Sequence, residues 1–281
     1  MVRSVRPQPD REAHVKAIPA AILSIFLLAA SVSAQWMKLP DPAIPRTPDG
    51  KADLSGPTPK SGDGKPDLSG IWLPDPDPNG KPEGVEYAVN PRYFVNITAD
   101  LSPEGVPFQP WAEALFKQRL QSQGKDDPIA HCRPTGVPAL GRIPVPFQIV
   151  QTPRLILILH EENTVFRQIF LDGRRLAPNP EPRFMGYSTG RWDGDTLIVD
   201  TVGLNDRNWL DRMGHPHSDA LHVIERFRRA DAGHLDVEVT IDDPKAYTKP
   251  IIYTQKQTLV PDEDLLEYFC SDNEKDVARF K

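Results

Sequence analysis

The sequence predicts a mainly β protein: an antiparallel barrel of about eight strands, preceded by a Pro-rich arm and one short helix. Three observations lead there. From about residue 155 onward, apolar residues recur at every second position, the period of half-buried strands. Turn signals interrupt that pattern at short intervals, and the strongest, Asp193-Gly194 between stretches 187–192 and 196–202, is a two-residue hairpin signal. The strands also follow one another without an intervening helical stretch. Closing such a sheet on itself removes the exposed edges it would otherwise have to protect, which favours an up-and-down barrel over a sandwich.

The first element is a leader. Arg3, Arg6, Arg11 and Lys16 precede an apolar run from 17 to 30 that ends in Ser31-Val32-Ser33-Ala34. These are the basic region, apolar region and small-residue cleavage site of a secretory signal peptide, over residues 1–34 and cut after Ala34. The apolar run contains Pro19 and is short for a bilayer span, so no integral membrane span is expected after cleavage. The mature chain is then expected in the bacterial periplasm or outside the cell. Its formal charge is −8, because the leader takes four positive and two negative charges from a chain of net −6. With no Lys/Arg-rich stripe, the electrostatics argue against a nucleic-acid or anionic-membrane partner.

Export also bears on the two cysteines, Cys132 and Cys270. In an oxidising compartment they are expected to form a disulfide. It would tie the start of the folded domain to its last strand, worth roughly 4–5 kcal/mol in a chain-entropy model.

Residues 35–107 read as a Pro/Gly-rich arm. Inside it Asp49-Gly50-Lys51-Ala52-Asp53-Leu54-Ser55-Gly56 recurs as Asp63-Gly64-Lys65-Pro66-Asp67-Leu68-Ser69-Gly70, too few copies for a solenoid. Asp75, Asp77, Asn79, Gly80 and Glu86 have the spacing of a calcium loop, but Pro76, Pro78 and Pro82 and the lack of flanking helical patterns make a surface turn the better reading. Residues 108–281 form the second region, the helix plus the barrel domain. Pro110 starts a helix carrying Trp111, Ala112, Leu115, Phe116 and Leu120 near helical spacing. After a Pro-rich stretch, 128–153, strands are expected at 155–160, 165–171, 187–192, 196–202, 220–227, 235–241, 251–260 and 265–270.

Alternation also selects the candidate site residues. Glu225 shares a strand face with Leu221, Val223 and Phe227, which places a carboxylate inside the barrel. There it is either half of a buried ion pair, with Arg167 or Arg191 as partner, or an acid that binds a ligand or moves a proton. His222 lies three residues away and faces the other side unless a bulge intervenes. His215, His217 and His222 are the densest histidine cluster. The His-x-His spacing suits a metal, but no clear carboxylate ligand accompanies it, so neither a metal nor another cofactor is expected.

Gly70-Ile71-Trp72 resembles the Gly-x-Trp opening with which lipocalin-like barrels close one end. Several longer motifs resemble those of a large group of secreted bacterial proteins of unknown function: Pro66-Asp67-Leu68-Ser69-Gly70-Ile71-Trp72, Gly190-Arg191-Trp192-Asp193-Gly194-Asp195-Thr196-Leu197, Leu221-His222-Val223-Ile224-Glu225-Arg226-Phe227 and Glu267-Tyr268-Phe269-Cys270. The resemblance covers about residues 40–275. It implies that His222, Glu225, Arg226 and Glu267 belong to the group's motifs, for folding or for chemistry.

The functional expectation is an exported protein that binds a small, partly apolar molecule in its barrel. Arg167, Arg191, Arg226, His217 and Glu267 are candidate ligand contacts. The alternatives are a cofactor-independent lyase, isomerase or hydratase using Glu225 or His222 for proton transfer, and a structural envelope protein. Common nucleotide and hydrolase signatures are missing from the sequence.

Overall fold

The computed structural model describes residues 40–76, 96–98, 101, 105–122 and 125–270. Within them the chain closes into a barrel of nine strands: β1 (Gly70–Pro74), β2 (Phe147–Gln151), β3 (Leu155–His160), β4 (Phe166–Phe170), β5 (Tyr187–Asp193), β6 (Thr196–Val202), β7 (His222–Arg229), β8 (His234–Asp242) and β9 (Ile251–Leu259). Helix α1 (Pro110–Gln121) opens on the expected proline. The leader and most of the calcium-like stretch fall outside the described residues. Among those described, no helix is long and apolar enough to cross a membrane.

Strand order around the barrel follows chain order, and β1 closes it by pairing with β2 on one side and β9 on the other. The alternating pattern decides the faces. Leu235, Val237, Val239 and Ile241 of β8 are all buried, as are Leu197 and Val199 of β6 and Ile156 and Ile158 of β3. Burying such side chains at about 25 cal/mol per Å² of apolar surface is the main drive for closure.

Three expectations need correction. The stretch 265–270 is no strand; its one strand-like pairing is an isolated bridge between Tyr268 and Glu162. Two strands, β1 and β2, lie in stretches that prolines made read as arm and loop. The barrel is not purely up-and-down either, because β4 and β5 run parallel, joined over only Ile169↔Ser188 and Phe170↔Thr189. The segment between them returns along the wall, where the Arg183 amide donates to Gly203 (2.9 Å).

One barrel end is shut by Trp72, wholly buried, with its indole N–H on the Leu68 carbonyl (3.0 Å). The Arg229 guanidinium lies over the ring at 4.9 Å and donates to the carbonyls of Asp67, Ser69 and Ala232. A cation buried on an aromatic face with carbonyls for its protons is satisfied without a carboxylate. The arm packs over this end. Its two sequence copies adopt the same small turn: Thr47 and Lys51 pair as Ser61 and Lys65 do, and Gly50 and Gly64 take positive φ. The first copy then reaches the β7–β8 turn, where the Gly233 amide donates to the Leu54 carbonyl (2.7 Å). The second buries Leu68.

Cys132 and Cys270 are bonded, with Cα atoms 5.4 Å apart. The bridge does not end on a strand as expected. It pins a terminal latch, 260–270, whose Leu266 and Cys270 amides donate to the Glu161 and Asn163 side chains of the β3–β4 turn.

Candidate functional site

Glu225 of β7 points into the barrel, 5% exposed. Across the interior, Arg167 of β4 meets it with two parallel contacts, Nη1 to Oε1 at 3.1 Å and Nη2 to Oε2. The two strands between them each supply a hydroxyl: Arg167 Nε donates to Ser188 of β5 (3.2 Å) and Nη2 to Thr201 of β6 (2.8 Å). Ser188 and Thr201 also bond each other at 2.9 Å. The fork geometry and the hydroxyls are what an ion pair needs to survive in an apolar interior. Both carboxylate oxygens are engaged, and four of the five guanidinium protons have acceptors.

Beside this pair lies a cavity of about 30 Å³, lined by Arg167, Glu225, His160, Gln255 and Gln257 together with apolar side chains such as Phe147 and Phe227. Its roof is the segment from Val137 to Gly141. The Gly141 carbonyl accepts from Gln257 Nε2 (2.8 Å), and a Cβ on Gly141 would stand 2.6 Å from Gln255 Oε1. A larger residue at 141 would therefore displace the Gln255 amide from its place in the cavity wall. Gln257 Oε1 is buried without a hydrogen-bond partner among the described residues.

His160, last residue of β3, faces the same cavity and stacks obliquely on Phe147 at 5.3 Å. Its ring has no hydrogen-bond partner among the described residues. Burial, reinforced by the Arg167 charge, holds its pKa down at about 3, so the imidazole is neutral at ordinary pH. The chamber thus presents a satisfied ion pair, a neutral imidazole and an amide oxygen still in want of a donor.

The other expected site residues are elsewhere. Arg191 and His222 lie on the outer wall, both bound to Asp200 (2.7 and 3.1 Å). β7 runs without a bulge through this region, so His222 stays on the face opposite Glu225. Arg226 is also outside, 3.3 Å from Glu238, and Glu267 is exposed on the latch. None of these four lines the chamber.

The histidine cluster is dispersed among structural roles. His215 is buried between Phe108 and Phe116, its Nδ1 2.6 Å from Asp211 and its Nε2 3.2 Å from the Thr98 hydroxyl. The Asp211 carboxylate also gathers the amides of Ile97, Met213, Gly214 and His215, which organises the long β6–β7 connection. His217 is buried, with Nδ1 on the Ser218 carbonyl (3.1 Å), Nε2 without a partner among the described residues and its pKa lowered by burial. Among the described residues no three potential ligands group around a metal position.

Sequence reasoning missed His160, Ser188, Thr201, Gln255 and Gln257. Period-two alternation puts each on an inward face, but hydroxyls and amides carry no charge signal to single them out. Comparison of the chain with protein-family models, curated proteins and solved structures finds no match to any.

Proposed function

We propose that the protein is an exported small-molecule-binding barrel whose site is the chamber beneath the Val137–Gly141 roof. The carrying observation is convergence: the charged pair, the unbonded His160 ring and the Gln257 Oε1 atom all meet at one cavity in an otherwise apolar interior. The apolar wall supplies non-directional affinity, and the polar groups orient one hydrogen-bonding end of a ligand. A volume of about 30 Å³ holds two or so waters, whereas pockets for drug-sized ligands run to roughly 300–1,000 Å³. A partly apolar molecule therefore enters by displacing the roof. The Cys132–Cys270 disulfide fits the oxidising compartment that export supplies.

A second reading, a structural envelope protein, draws support from the Arg167–Glu225 pair itself, which leaves no carboxylate oxygen free for a ligand. Proton transfer by Glu225 or His222 has less support, since the first is held on both oxygens and the second is outside the barrel.

Native mass spectrometry of the wild-type protein, purified from its own host under mild conditions, tests the first reading. A small molecule released on denaturation is the expected result. Glu225→Gln alone should cost roughly 3–5 kcal/mol by stranding Arg167, while Arg167→Met with Glu225→Met should recover most of that and lose the bound molecule. A bare wild-type mass would leave the structural reading standing.

A further inference from the structure

We propose that the outer wall of the barrel over β2, β3 and β4 docks a second copy of the chain, face to face about a two-fold axis. This surface lies outside the chamber, and its role does not depend on what the chamber binds. The sequence of β3 already marks it. Leu155-Ile156-Leu157-Ile158-Leu159 is apolar at every position, the pattern of a strand covered on both faces. Ile156 and Ile158 fill the barrel, whereas the three leucines alternate with them and face outward, half-buried.

Register joins the outward side chains into one surface. Val150 stands opposite Leu157, Leu159 opposite Phe166, and Leu155 opposite Phe170. The remaining outward positions of these strands are Gln148 and Gln168, so none carries a charge. Phe166 is 60% exposed and Val150 37%. The rest of the outer wall differs: Arg191 of β5 pairs with Asp200 of β6, Arg226 of β7 with Glu238 of β8, and Asp236 stands opposite Lys256 of β9. Apolar side chains scattered singly over a surface are ordinary, but a contiguous uncharged patch on one side marks a contact surface.

Charge at the two ends of the patch selects its occupant. At the Leu155 end, Arg154 is 81% exposed, its carbonyl accepts from the Leu171 amide (2.9 Å), and Arg174 and Arg175 follow close behind. Asp172 is the one carboxylate among them. At the His160 end, the β3–β4 turn holds Glu161 and Glu162, and the terminal latch lying against it exposes Asp264 and Glu267. Arg133, next to the disulfide, is the opposing charge there. At about 3.3 Å per residue the ends of β3 are about 17 Å apart, beyond the screening length of about 8 Å in physiological salt, so each end acts separately. Two copies stacked with their β3 strands antiparallel set each basic end over the acidic end of the other and each apolar stripe on its twin. A parallel stacking sets like charge on like. The antiparallel arrangement is isologous and closes at two copies. Three strands spaced about 4.8 Å apart make a wall smaller than the roughly 800 Å² per partner of a standard stable interface. The association is therefore weak, with monomer prevailing at low micromolar concentration.

Sedimentation velocity of the mature chain from about 5 μM to about 500 μM spans the range expected for so small an interface, and a shift from monomer to dimer is the expected result. Phe166→Glu puts a charge on the exposed wall without touching the interior. It should weaken the dimer by roughly tenfold or more while the melting temperature stays at the wild-type value. Arg154→Glu with Arg175→Glu should weaken it too, as should Asp264→Lys with Glu267→Lys. The chain carrying all four changes should regain the wild-type dimer, because both ends are then reversed together. This charge set reads the interface even if Phe166→Glu disturbs folding. A wild type that stays monomeric throughout overturns the proposal, and one that instead floats with phosphatidylcholine vesicles would assign the wall to a lipid surface. A dimer indifferent to Phe166→Glu overturns it as well, and so does a fourfold variant that associates no better than either half, since the two ends then do not meet.

Discussion

His160 shows how one side chain links burial to pH. The unfolded chain takes up a proton on this imidazole near the ordinary value of 6.5, whereas the folded chain refuses it until about 3. Its contribution to stability is therefore complete above about pH 6.5 and is lost as pH falls toward 3, at up to about 1.4 kcal/mol per unit. His217, also lowered by burial, acts in the same sense. Glu162 and Asp127 act in the opposite sense, because burial raises both carboxyl groups and favours their neutral forms at low pH. A His160→Gln variant isolates the one residue: urea unfolding between pH 7 and 4 should show the wild type losing ground to the variant steadily below 6.5. Parallel stability curves would mean that the ring reaches water in the folded state. Period two places His160 inward with Ile156 and Ile158, yet its position before Glu161-Glu162-Asn163 reads as the start of a polar turn. Glu225 and Arg167 were legible because charge stands out on an apolar face. That they meet across two intervening strands was not, since local alternation carries no information on which strands face each other.

At the scale of elements, the strands from β3 to β9 were legible because each is a regular alternation bounded by turn residues. The stretch 265–270 misled because Leu265, Glu267 and Phe269 mimic one face of a strand, while its amides go to side chains of the β3–β4 turn. β1 and β2 were hidden for the converse reason. Pro74 ends the first, and Pro144 and Pro146 precede the second, so composition outweighed the short alternations Ile71-Trp72 and Phe147-x-Ile149. Proline is tolerated in both places, at a strand end and just outside a strand. β1 depends on a glycine at its first residue. Gly70 has φ +138°, and a Cβ there would fall 2.6 Å from Leu259 Cδ1 on β9. Gly70→Ala should therefore push β1 away from β9 and lower stability by roughly 1–3 kcal/mol in chemical denaturation. An unchanged midpoint would show that Leu259 yields and that the closure is looser than this packing implies.

For the molecule as a whole, the decisive feature is that the strand closing the ring comes from the opposite end of the chain to the one it meets. β1 enters from the arm and fills the gap between β2, more than seventy residues later, and β9, the last strand. It brings Trp72, which plugs the barrel end, and Leu68, while the arm carbonyls of Asp67 and Ser69 take protons from Arg229. Without residues 1–76 the remaining chain would expose two unpaired strand edges and an uncovered cation, and open edges of that kind recruit other chains. The truncated protein is expected to associate or precipitate where the intact protein does not, as read by light scattering at matched concentration. A synthetic peptide of residues 40–76 added during refolding should suppress that association by restoring β1 in trans, as donated strands do elsewhere. The same peptide carrying Trp72→Ala should fail, since it can pair with both edges but leaves the barrel end open. A truncated chain that stays monomeric and melts at the wild-type temperature would show that β2 and β9 do without the strand between them.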